Sequence, residues 1–179
     1  ILDFGCGVGN SIPFLKKYFV SPDVPCFDVS HKSLAIAEKR FSEDVKFVLF
    51  EGERTSFSDG EFDIIFSACV FHHIPHAEHD SLLKELYRVL RPGGMLVIFE
   101  HNPLNPLTMH AVNTCEFDEN AVLIRASKLV KKMELLGYNA VSKSYRIFFP
   151  RVLRRLRWLE VYLKWLPLGA QYYVTALKD

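Results

Sequence analysis

Residues 1–10 read ILDFGCGVGN, three apolar residues around one acid that run directly into glycines at positions 5, 7 and 9. The first four have the character of a buried strand, and the glycines that follow lack the side chains that would hold a ligand away from the backbone. A helix N-terminus placed just after such a loop completes a cradle for a bound group. Asn10 stands where the dinucleotide fingerprint has its third glycine, so GxGxxG fails and GxGxG remains, and no Gly-Lys-Ser/Thr follows to make a phosphate loop. Asp3, two positions before Gly5, suits a ligand that presents a cationic amine and repels a pyrophosphate.

Outward from this loop, short apolar runs alternate with amphipathic stretches, the rhythm of strand–helix–strand units and a parallel sheet. A helix starting near Asn10 or Ser11, either of which could cap it, is expected to bury Phe14, Leu15, Tyr18 and Phe19. VPCFDV reads as the second strand. Ser30 caps a helix that turns Leu34, Ala37 and Phe41 inward; VKFVLF and FDIIFSACVF follow as strands around a polar turn at 58–61. A helix carrying Leu82, Leu83, Leu86, Val89 and Leu90 closes at RPGG, and MLVIFE is the fifth strand. The connection 101–124 is long enough to be functional or to hold a short helix. Ser127 is expected to cap a helix that Gly137 ends, with two last strands in YNAVSKSYRIFF and QYYVTALKD.

At 179 residues, 49% hydrophobic and 24% charged, the chain suits one packed core, here 1–179 as a single domain with cover segments at about 101–124 and 146–168. A net charge of +1 provides no overall basic field for nucleic acid. Cys6, Cys26, Cys69 and Cys115 are far apart, which fits free thiols in a reducing compartment rather than a disulfide frame or a zinc site. No apolar run is long enough to span a membrane and no signal peptide is visible, so the expected location is cytoplasmic.

LDFGCGVGN resembles the first motif of the class I S-adenosylmethionine-dependent methyltransferases, and CFDVSHKSLAIAEKR, FDIIFSACVFHHIP and LYRVLRPGGMLVIFE resemble later segments in the same order. The resemblance implies a Rossmann-like α/β three-layer sandwich with a mostly parallel seven-stranded sheet, order 3-2-1-4-5-7-6, the last strand antiparallel. It implies S-adenosyl-L-methionine as cofactor, with Asp3 near the methionine amino group, backbone contact from Gly5, Cys6, Gly7 and Gly9, and Asp28 on the ribose hydroxyls beside Val29. Counting back from Phe62 and Asp63 places the third motif at Phe50, Glu51 and Gly52, a departure from the family's usual Gly-Asp-Ala; Glu51 is assigned to the adenine amino group and Ser67 to the same pocket. The family also places helices before its first strand, so the chain resembles a fragment lacking them.

His72 and His73 follow the fourth strand, at the carboxyl edge where such folds bind ligands. They head the candidates for a catalytic base in the order His73, His72, Glu100, His101, while His31, His76, His79, His101 and His110 are read as surface or loop positions. A metal site built from His72, His73 and His76 is not expected, because no carboxylate completes it. In 151–166, RVLRRLRWLEVYLKWL, the apolar residues Val152, Leu156, Leu159, Leu163 and Leu166 share a helical face flanked by Trp158, Tyr162 and Trp165, with arginines largely opposite. Two readings follow: a helix packed on the domain, or a surface touching a membrane or lipid-like substrate. The apolar residues in 103–109 favour a small hydrophobic or amphipathic methyl acceptor over a nucleic acid. A non-catalytic cofactor-binding scaffold or sensor is the alternative, ahead of a nicotinamide-dependent oxidoreductase, which Asn10 and Asp3 disfavour. The sequence leaves the oligomeric state open.

Overall fold

Seven strands share one sheet: β1 (Leu2–Phe4), β2 (Cys26–Asp28), β3 (Phe47–Leu49), β4 (Phe62–Ala68), β5 (Leu90–His101), β6 (Asn139–Arg146) and β7 (Gln171–Leu177). A computed structural model describes residues 1–19, 24–41, 45–50 and 54–179. The strand order is β3-β2-β1-β4-β5-β7-β6, parallel throughout β1 to β5, with β7 antiparallel to both its neighbours, as the sequence predicts. Crossovers run through α1 (Ile12–Tyr18), α2 (His31–Phe41), α3 (His79–Val89), α4 (Pro106–Thr114) and α5 (Ala126–Leu135).

Strand side chains alternate between faces, and the two cores follow that parity. Leu2, Phe4, Phe27, Ile65, Leu96 and Ile98 pack with α3 and α5 in the larger cluster. Cys26 on the opposite face joins Ile12, Leu15 and Leu34 of α1 and α2, with Phe47 and Phe66 packed against them. Two positions break the apolar pattern: Asp3, between Leu2 and Phe4, and Glu100, in step with Leu96 and Ile98, both buried at the carboxyl edge. A buried carboxylate must be hydrogen-bonded, so these two residues mark where the sheet is committed to something other than packing.

Several local expectations change in the folded chain. Helix α1 turns Ile12 and Leu15 to the sheet, with Phe19 packed beside them, and leaves Phe14 and Tyr18 exposed on the opposite face. Ser11 does not cap it, since its hydroxyl donates to Asp3 instead. Ser30 does accept from Ser33 N–H as expected, and the connection after β5 does hold a helix, α4, capped by Asn105. Ser127 lies inside α5, whose N-cap is Arg125, while Gly137 takes φ +91° just beyond its end. RPGG is part of β5: Leu90 pairs with Phe62, the register shifts, and Gly93 N–H bonds the Lys178 carbonyl. His79 is fully buried, its Nε2 lying 2.9 and 3.0 Å from the carbonyls of Phe71 and Ile74.

The basic aromatic segment departs most. Residues Arg151–Leu159 form 3-10 turns with Leu153 out of helical geometry, followed by the short helix α6 (Glu160–Leu163). With three residues per turn instead of 3.6, the one-face stripe read from the sequence dissolves, and every residue from 151 to 158 is exposed.

Candidate cofactor and acceptor site

The glycine loop leaves β1 at the carboxyl edge. Gly5, Gly7 and Gly9 all take positive φ, of 73°, 54° and 80°. Gly5 is fixed by contact as well, for a Cβ there would lie 2.2 Å from Val70 Cγ2; around Gly7, by contrast, nothing lies within 4 Å of that position. The loop therefore presents bare backbone on one side while resting on Val70 on the other. Asp28, at the end of β2, accepts from Gly7 N–H through Oδ2 and from Ser30 N–H through Oδ1, both at 2.8 Å. A carboxylate has about four lone-pair sites, so this leaves acceptor capacity facing the loop. Asp3 accepts from Ser11 Oγ. Burial pushes its carboxyl up to about 6, against the lowering effect of the Ser11 bond, and Asp28 adds to the rise. Two acids beside open backbone fit a ligand with a cationic amine and a sugar diol, which is what S-adenosylmethionine presents.

The second part of the site grows from Glu100. Its Oε1 accepts from Val70 N–H at 3.0 Å and Phe71 N–H at 2.7 Å, and Oε2 lies 2.6 Å from His72 Nδ1. The turn Phe71–His73 is thus tied to the end of β5, with His72 buried and half-exposed His73 tilted against it, ring centroids 4.1 Å apart. Asp118, from the turn Glu116–Asp118 after α4, reaches both rings: its Oδ1 lies 3.4 Å from His72 Nε2 and 3.7 Å from His73 Nε2. A backbone bond from Val122 N–H to the His72 carbonyl, 2.8 Å, pins that loop in place. Burial works against charge on His72, but the bond and charge of Glu100 together with Asp118 outweigh it and raise its pKa above the ordinary value. Burial and then the charge of His72 lower both His73 and His101.

A cavity of about 560 Å³ adjoins this cluster. Its lining is mainly apolar, with Leu107 and Val112 of α4 and Ile147 and Phe148, and includes the polar side chains of His101, Asp118, Thr108 and Gln171. It lies among the two segments, 101–124 and 146–168, expected to cover the sheet edge.

Of the residues read from the sequence, Asp3, Gly5, Cys6, Gly7, Gly9 and Asp28 converge at the loop, and Val29 stands exposed beside them. Ser67 is fully buried with its hydroxyl unpaired, and Cys6 is buried with its N–H bonded to the Phe27 carbonyl. Glu51 and Gly52 lie outside the described residues. Glu100 is no free base: both its oxygens are engaged in holding the histidine turn. His101, last in the sequence ranking and otherwise read as a loop position, is the histidine that lines the cavity. Asp118 was not legible at all, since a lone acid in a long loop carries no spacing signal. It supplies the carboxylate that a His72, His73, His76 grouping lacks, and it brings together only the first two.

A family model described as "Methyltransferase domain" matches residues 2–98. The chain is 35% identical over 104 residues to the 2-methyl-6-phytyl-1,4-hydroquinone methyltransferase of Synechocystis sp., covering 57% of this chain and 32% of that protein. It is 35% identical over 106 residues to the demethylmenaquinone methyltransferase of Thermus thermophilus, covering 58% and 47%. The chain thus spans about a third to a half of the length of these two relatives. A crystal structure of a SAM-dependent methyltransferase from Archaeoglobus fulgidus superposes with a TM-score of 0.79 at 17% identity, over 99% of this chain and 85% of that one. With half of its length matched to the methyltransferase domain and the fold in agreement, the chain belongs to the class I S-adenosylmethionine-dependent methyltransferase family.

The raised pKa of Asp3 has a stability consequence with a definite sign. The carboxyl ionises near 3.8 when free and at about 6 in the fold, so its penalty is absent below pH 4, grows between 4 and 6, and is complete above. The magnitude is on the order of 2–3 kcal/mol. Asp3→Asn is expected to melt several degrees above the unsubstituted protein at pH 7.5 and to lose most of that advantage at pH 4; thermal melts at both pH values measure it, and no gain at pH 7.5 refutes it.

Proposed function

We propose that this chain transfers the methyl group of S-adenosylmethionine to a small amphipathic acceptor held in the cavity beside Asp118 and His101. The observation that carries this reading is the lining of that cavity, where His101, Asp118 and Gln171 stand with apolar residues of α4 and with Ile147 and Phe148. Such lining suits a molecule with an oxygen-bearing head and a hydrocarbon body. The two relatives carry quinone-type names, and a quinol is an acceptor of that description.

S-adenosylmethionine supplies a methyl group already made electrophilic by its sulfonium, so that the acceptor's electron pair forms the new bond while the carbon–sulfur pair returns to sulfur. The chain's own residues do the positioning. Asp28 and the open face of Gly7 hold the sugar end, and Asp3 receives the amine. His72, held by Glu100, stands against Asp118 on the cavity lining, and the His101 imidazole on the same lining takes the proton that the acceptor loses as it is methylated. The whole chain acts as one domain, with 101–124 and 146–168 as its acceptor cover.

The segment that leaves the cavity wall at Pro150 enters 151–165 directly, where Val152, Trp158, Tyr162 and Trp165 are more than 65% exposed in a stretch that also carries Arg151, Arg154, Arg155 and Arg157. Exposed aromatic residues set among arginines suit the headgroup layer of an anionic membrane, from which a lipid-soluble acceptor would reach the cavity. Among the described residues no helix is long and apolar enough to cross a membrane. The four free thiols fit the reducing cytoplasmic side of such a membrane.

Calorimetric titration is expected to show saturable binding of S-adenosylhomocysteine and none of NAD, with Asp28→Ala weaker by about 1.5–3 kcal/mol through lost charge-assisted bonds; NAD binding in place of the nucleoside would sink the reading. With a quinol acceptor, His101→Ala is expected to lower turnover at least tenfold while S-adenosylhomocysteine affinity stays unchanged, and full turnover would reduce His101 to a wall residue. In sedimentation with liposomes, the chain is expected to pellet with anionic vesicles at low salt and to be released by substituting Trp158 and Trp165 with serine; absence from the pellet removes the membrane contact.

A further inference from the structure

His72, His73 and Asp118 meet in a way that neither the glycine loop nor the cavity requires. One ligand atom from each lies within 4.8 Å of the others. The Asp118 Oδ1 distances to the two Nε2 atoms, 3.4 and 3.7 Å, are close to the edge of a tetrahedron of donors around a zinc-sized ion, about 3.4 Å for bonds of 2.0–2.1 Å. His72 Nε2 is buried and has no hydrogen-bond partner, although its side chain is only 1% exposed. A buried ring nitrogen aimed at a carboxylate without a hydrogen bond is an unmet demand, and a cation placed between the two would meet it.

The far side of the same ring is already arranged for that task. Glu100 Oε2 lies 2.6 Å from His72 Nδ1, and with Nδ1 donating to that carboxylate the Nε2 atom, 3.4 Å from Asp118 Oδ1, is the nitrogen left for a metal. A histidine whose second nitrogen donates to a carboxylate is the usual support of a metal-bound imidazole: it fixes the ring and raises its basicity. Glu100 is itself anchored by Val70 and Phe71 N–H, so the support cannot swing away. Asp118 is held through its own loop, since Val122 N–H bonds the His72 carbonyl and Asp118 N–H bonds the Cys115 carbonyl. Two imidazoles and one carboxylate favour zinc and its transition-metal neighbours over magnesium or calcium, which take oxygen donors.

We propose that His72 Nε2, His73 Nε2 and Asp118 Oδ1 form a three-ligand site for a divalent transition metal of the zinc class, with its fourth position left for a further donor. Three protein ligands and one open position are the composition of sites that bind a substrate oxygen rather than only brace a fold. If the cavity is the acceptor site, as proposed above, the ion would hold the acceptor's oxygen; this last step rests on that reading, whereas the metal site itself does not.

The test uses the purified chain, stripped with chelator and titrated with Co²⁺ as a spectroscopic probe for the zinc class, with Mg²⁺ as comparison and no cofactor or acceptor present. One equivalent of cobalt is expected to produce the d–d absorption of a four-coordinate complex, displaced by zinc and not by magnesium. Asp118→Asn and His73→Ala, both at partly exposed positions, are expected to weaken cobalt binding at least about 100-fold while circular dichroism shows the fold intact; His76→Ala, which removes the neighbouring histidine outside the cluster, is expected to leave it unchanged. Absence of a complex in the folded, unsubstituted chain overturns the proposal, as does a complex that survives Asp118→Asn. Because the measurement needs neither cofactor nor acceptor, its failure leaves the methyl-transfer reading standing, and failure of S-adenosylhomocysteine to bind leaves the metal site standing.

Discussion

A carboxylate placed on the core face of a parallel sheet has to be met by donors, and Glu100 is met by three. The bonds from Val70 N–H, Phe71 N–H and His72 Nδ1 join the end of β5 to the turn that follows β4. That turn is the floor on which the glycine loop rests, since Gly5 packs against Val70, and it is also the wall to which Asp118 is directed. The floor of the glycine loop and the histidine pair are therefore positioned by one buried side chain. Replacing it with a leucine would satisfy the packing and leave the edge of the sheet without a common reference point.

The glycine loop shows the same economy in a different form. Its backbone is bent into positive φ at three alternate residues and is held by Asp28, whose two oxygens bond to Gly7 and Ser30 N–H. Asp3 sits beneath it at an energetic cost, because burial raises its pKa and only Ser11 lowers it in return. A group kept where it destabilises the unliganded fold is what a cationic ligand relieves, and stability given up in this way is common at binding sites.

The acceptor side is built on weaker restraints. Asn102 and Thr108 reach across to the carbonyls of Pro167, Gly169 and Ala170, tying the segment after β5 to the start of β7. These bonds hold the cavity's frame while leaving 151–158 standing off the sheet, with aromatic and basic side chains together in solvent. Packing explains the frame. It does not explain the exposed residues, and these are what the proposed membrane contact rests on.

Much of the fold was legible because strand and loop signals are local. The apolar run around Asp3 in ILDF, the glycines at 5, 7 and 9, and the acid at Asp28 can be read from neighbours in the chain, and order and spacing then carried the family and its cofactor. Helix detail was less legible: the pairs Phe14/Tyr18 and Leu15/Phe19 are both spaced four apart, and only packing against the sheet selects the face with Ile12, Leu15 and Phe19 and leaves Phe14 and Tyr18 in solvent. The stripe in 151–166 depended on a pitch that the backbone does not adopt. The cluster at the sheet edge lay beyond sequence reasoning for a different reason. Glu100 is 28 positions from His72, and Asp118 reaches the two histidines from a loop with no periodicity, so their meeting follows from the register of β4 with β5 and from the path of a connection. Propensity acts between neighbours; the convergence of charges from distant segments is decided only when the sheet has closed and burial obliges each of them to find a partner.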